Sequence, residues 1–282
     1  MGDMFEMILI SGIAGLVGAL TGLGGGIVIV PVLTLVFGVP MKYAVATSLI
    51  AVIGTSSGAA ATYVKEGFTN IQVGMFLQIA TSIGAILGAV IIIWMDVPVD
   101  VLGIVFGLVL LITAILTAKK QPDHRENVIE GSLTQKLQLY GAFTQDDKTI
   151  NYGSRFPIFG SLIMALAGFI SGLLGVGGGV FKVLAMDNVM RLPFKVSTTT
   201  SNFMIGVTAV SSAILYFANG YVEPLLAAPV LIGIILGAFV GAKILKHINV
   251  HLLKRIFAVL VAIIALYMIY NGMVGNFSVK QL

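Results

Sequence analysis

Long apolar runs occupy most of this 282-residue chain and limit the kind of protein that it can form. A helix needs about 20 apolar residues to cross roughly 30 Å of hydrocarbon. Because backbone inside lipid must satisfy its own hydrogen bonds, such runs predict an all-α polytopic membrane protein. Six runs of this length cover residues 44–65, 70–95, 98–118, 195–218, 223–245 and 250–270.

Two further runs, 5–37 and 157–190, are longer than one crossing needs, and a glycine cluster interrupts each of them. The clusters read Gly22-Leu-Gly-Gly-Gly-Ile27 and Gly175-Val-Gly-Gly-Gly-Val180. We predict that each run forms two shorter helices joined at the glycines. Each pair would be a re-entrant hairpin that returns to the side of the membrane where it began.

The two halves of the chain share a pattern at a constant offset of 153 positions, the distance from Gly22 to Gly175. After a small shift, Ile83–Gly88 also matches Ile232–Gly237, so the similarity extends through the third full span. The sequence therefore predicts two repeats, each with one glycine-broken hairpin and three transmembrane helices. They cover residues 1–118 and 156–282, and a polar, solvated linker with short strands covers residues 119–155.

Lysine and arginine predict the orientation of the chain, because short cytoplasmic loops are enriched in them. The linker and the basic segment from Lys243 to Arg255 should lie on the cytoplasmic side of the cell membrane, with the amino terminus outside. Three crossings per half is an odd number, so the repeats would have inverted topology. The alternative is eight spans in two repeats of the same orientation. That arrangement would place the segment from Lys243 to Arg255 outside.

The glycine breaks are the first candidate binding elements. Consecutive glycines let the chain turn where a Cβ would clash, and the start of the next helix exposes unpaired amides that favour anions. We predict that both breaks face one anion site near the membrane midplane. The residues are Gly24, Gly25, Gly26, Gly177, Gly178 and Gly179. Glycines at four-residue spacing also pack helices closely, the reading that we prefer for Gly233, Gly237 and Gly241.

Lys182 follows the second cluster at a position where the first half has Ile29. A charge at the centre of a membrane helix costs about 2.5 to 3.5 kcal/mol on insertion scales, so such residues tend to be functional. Lys182 would contact the anion, with Asp187 and Arg191 as neighbours. The alternative is a lysine that extends to the membrane surface with its stem buried.

Polar residues at the start of two spans could complete the site. They are Thr47 and Ser48 in the first half and Thr200, Ser201 and Asn202 in the second. Hydroxyl and amide groups can donate to an oxyanion, although most serines and threonines in membrane helices bond to neighbouring backbone instead. Both interpretations stay open from the sequence.

Composition narrows the function classes. The chain has no cysteine, and its histidines, His124, His247 and His251, fall in loops or at span ends. We therefore predict no cofactor, no metal site and no enzyme activity. The net charge of +4 does not indicate nucleic acid. The expected partners are a small anionic substrate and the lipid bilayer, and a homodimer stays open.

Each Gly-x-Gly-Gly-Gly cluster is followed some 14 residues later by Pro-x-Lys and then Thr-Ser. In this pattern the chain resembles the TauE/SafE family of anion permeases over both halves. The resemblance implies transport of sulfite, sulfoacetate or another organosulfonate. One departure is Leu184, which replaces the proline of the first half, Pro31, so the second short helix should be straighter.

The leading hypothesis is thus a secondary transporter of small anions with alternating access. A membrane scaffold or subunit that carries nothing is the alternative. An intramembrane enzyme is less favoured, because the sequence shows no catalytic dyad at membrane depth.

Overall fold

The computed structural model describes residues 2–21, 24–65, 69–95, 97–118, 132–145, 148–244 and 250–279. In the first half the helices are α1 (Gly2–Thr21), α2 (Gly26–Pro31), α3 (Met41–Lys65), α4 (Ile71–Trp94) and α5 (Val99–Ala118). The described linker holds α6 (Ser132–Lys136), β1 (Tyr140–Gln145) and β2 (Lys148–Gly153). The second half has α7 (Pro157–Leu174), α8 (Gly179–Leu184), α9 (Phe194–Ala218), α10 (Pro224–Ile244), α11 (Val250–Val274) and α12 (Asn276–Val279).

Six helices in the described part of the chain are long and apolar enough to cross a membrane, namely α4, α5, α7, α9, α10 and α11. Five of them, α4, α5, α9, α10 and α11, follow predicted runs closely. The sixth, α7, is the first arm of the second hairpin, and the predicted run 44–65 forms α3. The protein is therefore an all-α polytopic membrane protein, as predicted.

The two glycine-broken runs form unequal hairpins. The first arms are long, with 20 residues in α1 and 18 in α7, whereas α2 and α8 have six residues each. Each run thus forms two shorter helices joined at its glycines, as predicted, and the first arm is the longer of the two.

Each short arm continues into a π-helical turn, at Val32–Val36 and at Ala185–Val189. Leu184 and Pro31 end their helices at equivalent positions. The second hairpin then returns to the end of α7 where it started. There the Arg155 amide donates to the Met190 carbonyl at 2.8 Å.

The first arm of each hairpin packs in parallel against a long helix of the other half. Along α1 and α10, Gly237 faces Gly12 and Gly241 faces Leu16. These contacts confirm that the glycines of α10 are packing positions.

The equivalent pair, α7 and α4, meets where Gly84 faces Ala165. Gly84 and Gly237 therefore occupy the same place, and the offset of 153 continues through this helix. The small shift expected from the sequence is wrong by one helical turn, because glycines four residues apart make both alignments look alike.

The last long helices of the two halves, α5 and α11, pack against each other in opposite directions. Gly272 of α11 faces Asp100, near the start of α5, whereas Ala265 faces Gly107, further along α5. These two helices, which occupy the same place in the two halves, are thus antiparallel.

The described part of the linker is folded onto the helices, which corrects the prediction of a solvated loop. Strands β1 and β2 form an antiparallel hairpin, so the short strands are confirmed.

Asn70 joins α4 to this hairpin. Its side-chain oxygen caps α4 by accepting from the Val73 amide at 3.0 Å. Its Nδ2 donates to the Tyr140 carbonyl at 3.2 Å and to the Tyr152 hydroxyl at 3.1 Å. Burial raises the pKa of Tyr152, and the hydrogen bond from Asn70 opposes that rise. Residues 119–131 lie outside the described residues.

Replacing Gly237 by alanine should destabilise the protein. The new Cβ would overlap the Gly12 carbonyl oxygen, and this backbone cannot yield without separating α1 from α10. Overpacking of this kind costs about 1 to 3 kcal/mol. Gly12→Ala is the matched control, because a Cβ there would lie 3.5 Å from the Gly233 oxygen. Thermal unfolding in detergent should show a lower Tm for Gly237→Ala alone, and equal effects would contradict the proposed packing.

Candidate functional site at the hairpin tips

The two glycine breaks meet inside the protein. The Ser48 hydroxyl lies 2.8 Å from the Gly175 carbonyl oxygen and 3.3 Å from that of Gly26, so one side chain of α3 contacts both hairpins. Gly26 has no room for a side chain, since a Cβ would lie 2.6 Å from the Gly175 oxygen.

Gly24 and Gly177 occupy equivalent places in the two breaks. Their φ angles are 75° and 74°, a conformation that favours glycine. Both face the same two side chains, Val52 of α3 and Ile205 of α9. The structure thus brings the two tips together around one pair of apolar residues.

The other predicted glycines are buried at the same breaks, but the two breaks differ in detail. Gly25 precedes α2 in a right-handed conformation, with φ −67°, whereas Gly178 precedes α8 in a left-handed one, with φ 65°. Gly26 and Gly179 are the first residues of their helices.

The two predicted serines hold the hairpins in place. Ser201 repeats the contact of Ser48, since its hydroxyl donates to the Gly179 carbonyl at 3.3 Å. The equivalent of Gly175 is Gly22, which lies outside the described residues. Both serines therefore use their hydrogen for backbone, which is the interhelical role that the sequence left open.

The two predicted threonines have different surroundings. The Thr200 hydroxyl accepts a hydrogen bond from the backbone N–H of Asn70 at 3.0 Å. Thr200 therefore lies close to the linker hairpin, which Asn70 also contacts. The Thr47 hydroxyl is buried and has no hydrogen-bond partner among the residues that the structure describes. Thr47 is therefore free to bind a further group, whereas Thr200 joins the start of α4 to α9.

A small cavity lies beside the first break. It has room for about one water molecule. The amide nitrogen of Asn202, a predicted site residue that is 5% exposed, is buried there, and no group in the described part of the chain forms a hydrogen bond with it. The lining residues are Gly18, Ala19, Gly24, Thr55, Ser56, Asn202 and Ile205. Thr55 and Ser56 were not predicted, because hydroxyls inside a long span carry no distinguishing sequence signal.

Lys182 lies in α8 and is 0% exposed. Its Nζ donates to the Thr208 hydroxyl of α9 at 2.8 Å. Among the described residues, no carboxylate forms an ion pair with it. The side chain does not reach the surface, as a lysine that extends to the headgroups would have to do. Of its two predicted neighbours, Asp187 is buried and Arg191 is exposed.

Polar residues that the sequence analysis missed continue from Thr208 toward α4. The side-chain amide of Gln78 lies 3.2 Å from the Thr208 hydroxyl and 2.8 Å from the Ser82 hydroxyl. The Ser82 hydroxyl lies 3.0 Å from the Ser211 hydroxyl. The repeat could have indicated Gln78, because a polar residue stands there where the other half has Leu231.

The chain is similar to known proteins along nearly its whole length. The family model described as Sulfite exporter TauE/SafE matches residues 7–268. Probable membrane transporter protein YunE of Bacillus subtilis is 28% identical over 278 residues, which cover 95% of this chain and 98% of the relative. Probable membrane transporter protein YdhB of the same species is 27% identical over 237 residues, covering 84% and 88%. No solved structure matches the chain.

The similarity is not confined to bacteria. A Probable membrane transporter protein of Methanocaldococcus jannaschii is 27% identical over 280 residues, with 93% of this chain and 94% of the relative covered. The names of these relatives agree with the six apolar helices, and among the described residues no group of three potential ligands could hold a metal. The chain is a multi-pass membrane transporter, not an enzyme, and it belongs to the TauE/SafE family.

Proposed function

We propose that this protein is a secondary transporter that moves a small oxyanion across the cytoplasmic membrane through a site at the two hairpin tips. Sulfite, sulfoacetate or another organosulfonate is the proposed substrate. The family description, Sulfite exporter TauE/SafE, supports this class of anion. The geometry of the tips supports a negatively charged ligand independently of that name.

The observation that carries the proposal is the burial of Lys182. An ammonium group has three donors, and the hydrogen bond to Thr208 uses one of them. A charge removed from water without an opposite charge is costly. A bound anion would supply both the opposite charge and the acceptors that the other two donors need.

Neutral donors around the tips fit the same ligand. The amide nitrogen of Asn202 and the hydroxyl of Thr47 are buried, and within the described ranges neither has a hydrogen-bond partner. The amides of Gly24–Gly26 and Gly177–Gly179 are the proposed backbone donors. In this arrangement the anion does not contact three of the predicted side chains, because they form hydrogen bonds with backbone groups and support the site. They are Ser48, Ser201 and Thr200.

Inverted repeats would give the site access to either side. The antiparallel packing of α5 on α11 supports opposite orientations of the two halves, since these helices occupy the same place in each repeat. Rocking of such halves around a fixed site is a known route to alternating access. We place the linker on the cytoplasmic side, as the distribution of lysine and arginine predicts.

Purified protein in liposomes should carry labelled sulfite or sulfoacetate, and empty liposomes should not. Acetate and sulfate, tested in parallel, establish whether the sulfur-containing anions are preferred. A scaffold protein would give no flux of any of these anions, and that result would overturn the proposed function.

Lys182→Ile should weaken anion transport and leave the fold intact, because Ile29 fills the equivalent position in the first half. Hydrogen bonds to charged groups contribute about 1.5 to 3 kcal/mol, so the KM for sulfite should rise about ten-fold or more. The Tm in detergent without anion should also rise, since a buried charge is removed.

Lys136→Ile, at an exposed lysine of the linker, is the matched control and should transport like the wild type. An unchanged KM and rate in Lys182→Ile would show that the lysine does not contact the anion.

Single cysteines can test the inverted arrangement, because the natural chain has none. Val36→Cys, after the first hairpin, should react with an impermeant maleimide from outside the cell. Gln135→Cys, in the linker, should react only after the membrane is opened. Both side chains are exposed. Reaction of both from the same side would contradict the inversion.

A further inference from the structure

We propose that Gln78 and Thr208 are positioning residues for Lys182, and that the charged part of the anion site lies in the second half alone. This inference rests on the proposed function and adds the residues that orient its charge. Gln78 belongs to α4 of the first half, whereas Thr208 and Lys182 belong to α9 and α8 of the second.

Thr208 is fixed at the centre of this group. Its hydroxyl lies 2.8 Å from the Met204 carbonyl oxygen, to which it donates, and 2.8 Å from Nζ of Lys182, from which it accepts. The single hydroxyl hydrogen is used by the Met204 carbonyl or by the Gln78 oxygen 3.2 Å away, so a lone pair of the Thr208 oxygen accepts from the ammonium. The threonine therefore sets the direction in which Nζ lies.

Gln78 of α4 forms hydrogen bonds with the turn of α9 that runs from Met204 to Thr208. In the orientation that satisfies both ends of its amide, the nitrogen donates to the Met204 carbonyl at 3.2 Å and the oxygen accepts from the Thr208 amide at 3.3 Å. The amide oxygen also lies 2.8 Å from the Ser82 hydroxyl. Gln78 thus contacts the Met204 carbonyl and the amide of Thr208, and the Thr208 hydroxyl is the group that holds Lys182.

The repeat shows that the fold does not require these polar residues. At the offset of 153, Gln78 corresponds to Leu231, Ser82 to Ile235 and Lys182 to Ile29. At the equivalent groove, between α3 and α10, Leu231 and Ile235 lie beside Gly54 and take the places of the polar pair.

Thr208 has a counterpart, Thr55, which donates to the Val52 carbonyl at 2.9 Å. A threonine alone is thus compatible with an apolar groove. Lys182 of the second half and Gln78 and Ser82 of α4 occur together at this one groove, as expected if they serve one charged ligand.

The experiment measures sulfite transport in liposomes for Gln78→Leu, which copies Leu231, and for Thr208→Val. Each should raise the KM about five-fold with little change in the maximal rate, the effect of losing one ordinary hydrogen bond. Thr208→Ser keeps the hydroxyl and should restore the wild-type KM. Gln72→Leu, on the exposed face of the same helix, is the matched control and should not change the KM.

The decisive measurement repeats Gln78→Leu in the Lys182→Ile background at raised sulfite concentration. If Gln78 acts through the ammonium, the second substitution should add nothing there. A further five-fold loss in that background would show a separate structural role and overturn the inference. Wild-type behaviour of Gln78→Leu and Thr208→Val, beside an impaired Lys182→Ile, would also overturn it and leave the proposed function standing. Normal transport by Lys182→Ile would instead refute the contact between Lys182 and the anion.

Discussion

The structure depends on satisfying the backbone where two helices break inside the membrane. Lipid offers no hydrogen bonds, so irregular chain at this depth survives only when protein or water lines it. The Ser48 hydroxyl of α3 lies within hydrogen-bond distance of carbonyl oxygens in both hairpins. The Ser201 hydroxyl of α9 donates to a carbonyl of the second hairpin. The breaks must therefore lie against each other and against the two central spans. The remaining helices keep them there, since α1 packs on α10 and α7 on α4.

The repeat supplies a nearly symmetric framework that holds unsymmetric chemistry. Equivalent short helices begin and end at equivalent residues, and even the π-helical turns coincide. Gly24 and Gly177 face the same pair of side chains, which shows how closely the two halves agree around the tips. Yet a single charge stands at these positions, on Lys182, and its counterpart is Ile29. In the proposed function, the symmetry of the backbone would position the ligand, and the exceptions to symmetry would set the charge of the site.

Much of the fold could be predicted from the sequence, because bilayer thickness sets the length of an apolar run and glycine clusters mark a break in it. The run 98–118 corresponds to α5 at Val99–Ala118, and 195–218 to α9 at Phe194–Ala218. The length of the first arms and the folded linker could not be predicted, because both depend on packing with distant segments. For the same reason the contact of Gln78 with Thr208, 130 residues apart, was not foreseen. Lys182 was recognisable, since a charge inside lipid is costly wherever its partners lie.

The surroundings of Lys182 also connect the site to the motion that transport requires. Its ammonium is held by α9, and α9 is braced by Gln78 of α4, which belongs to the other repeat. Movement of one half against the other would change the packing of α4 on α9, because these two helices are in contact. The direction of the ammonium and the relative position of the two halves are thus linked through one hydrogen-bonded turn, Met204–Thr208. An anion that binds the ammonium in one arrangement of the halves would therefore favour that arrangement over the other.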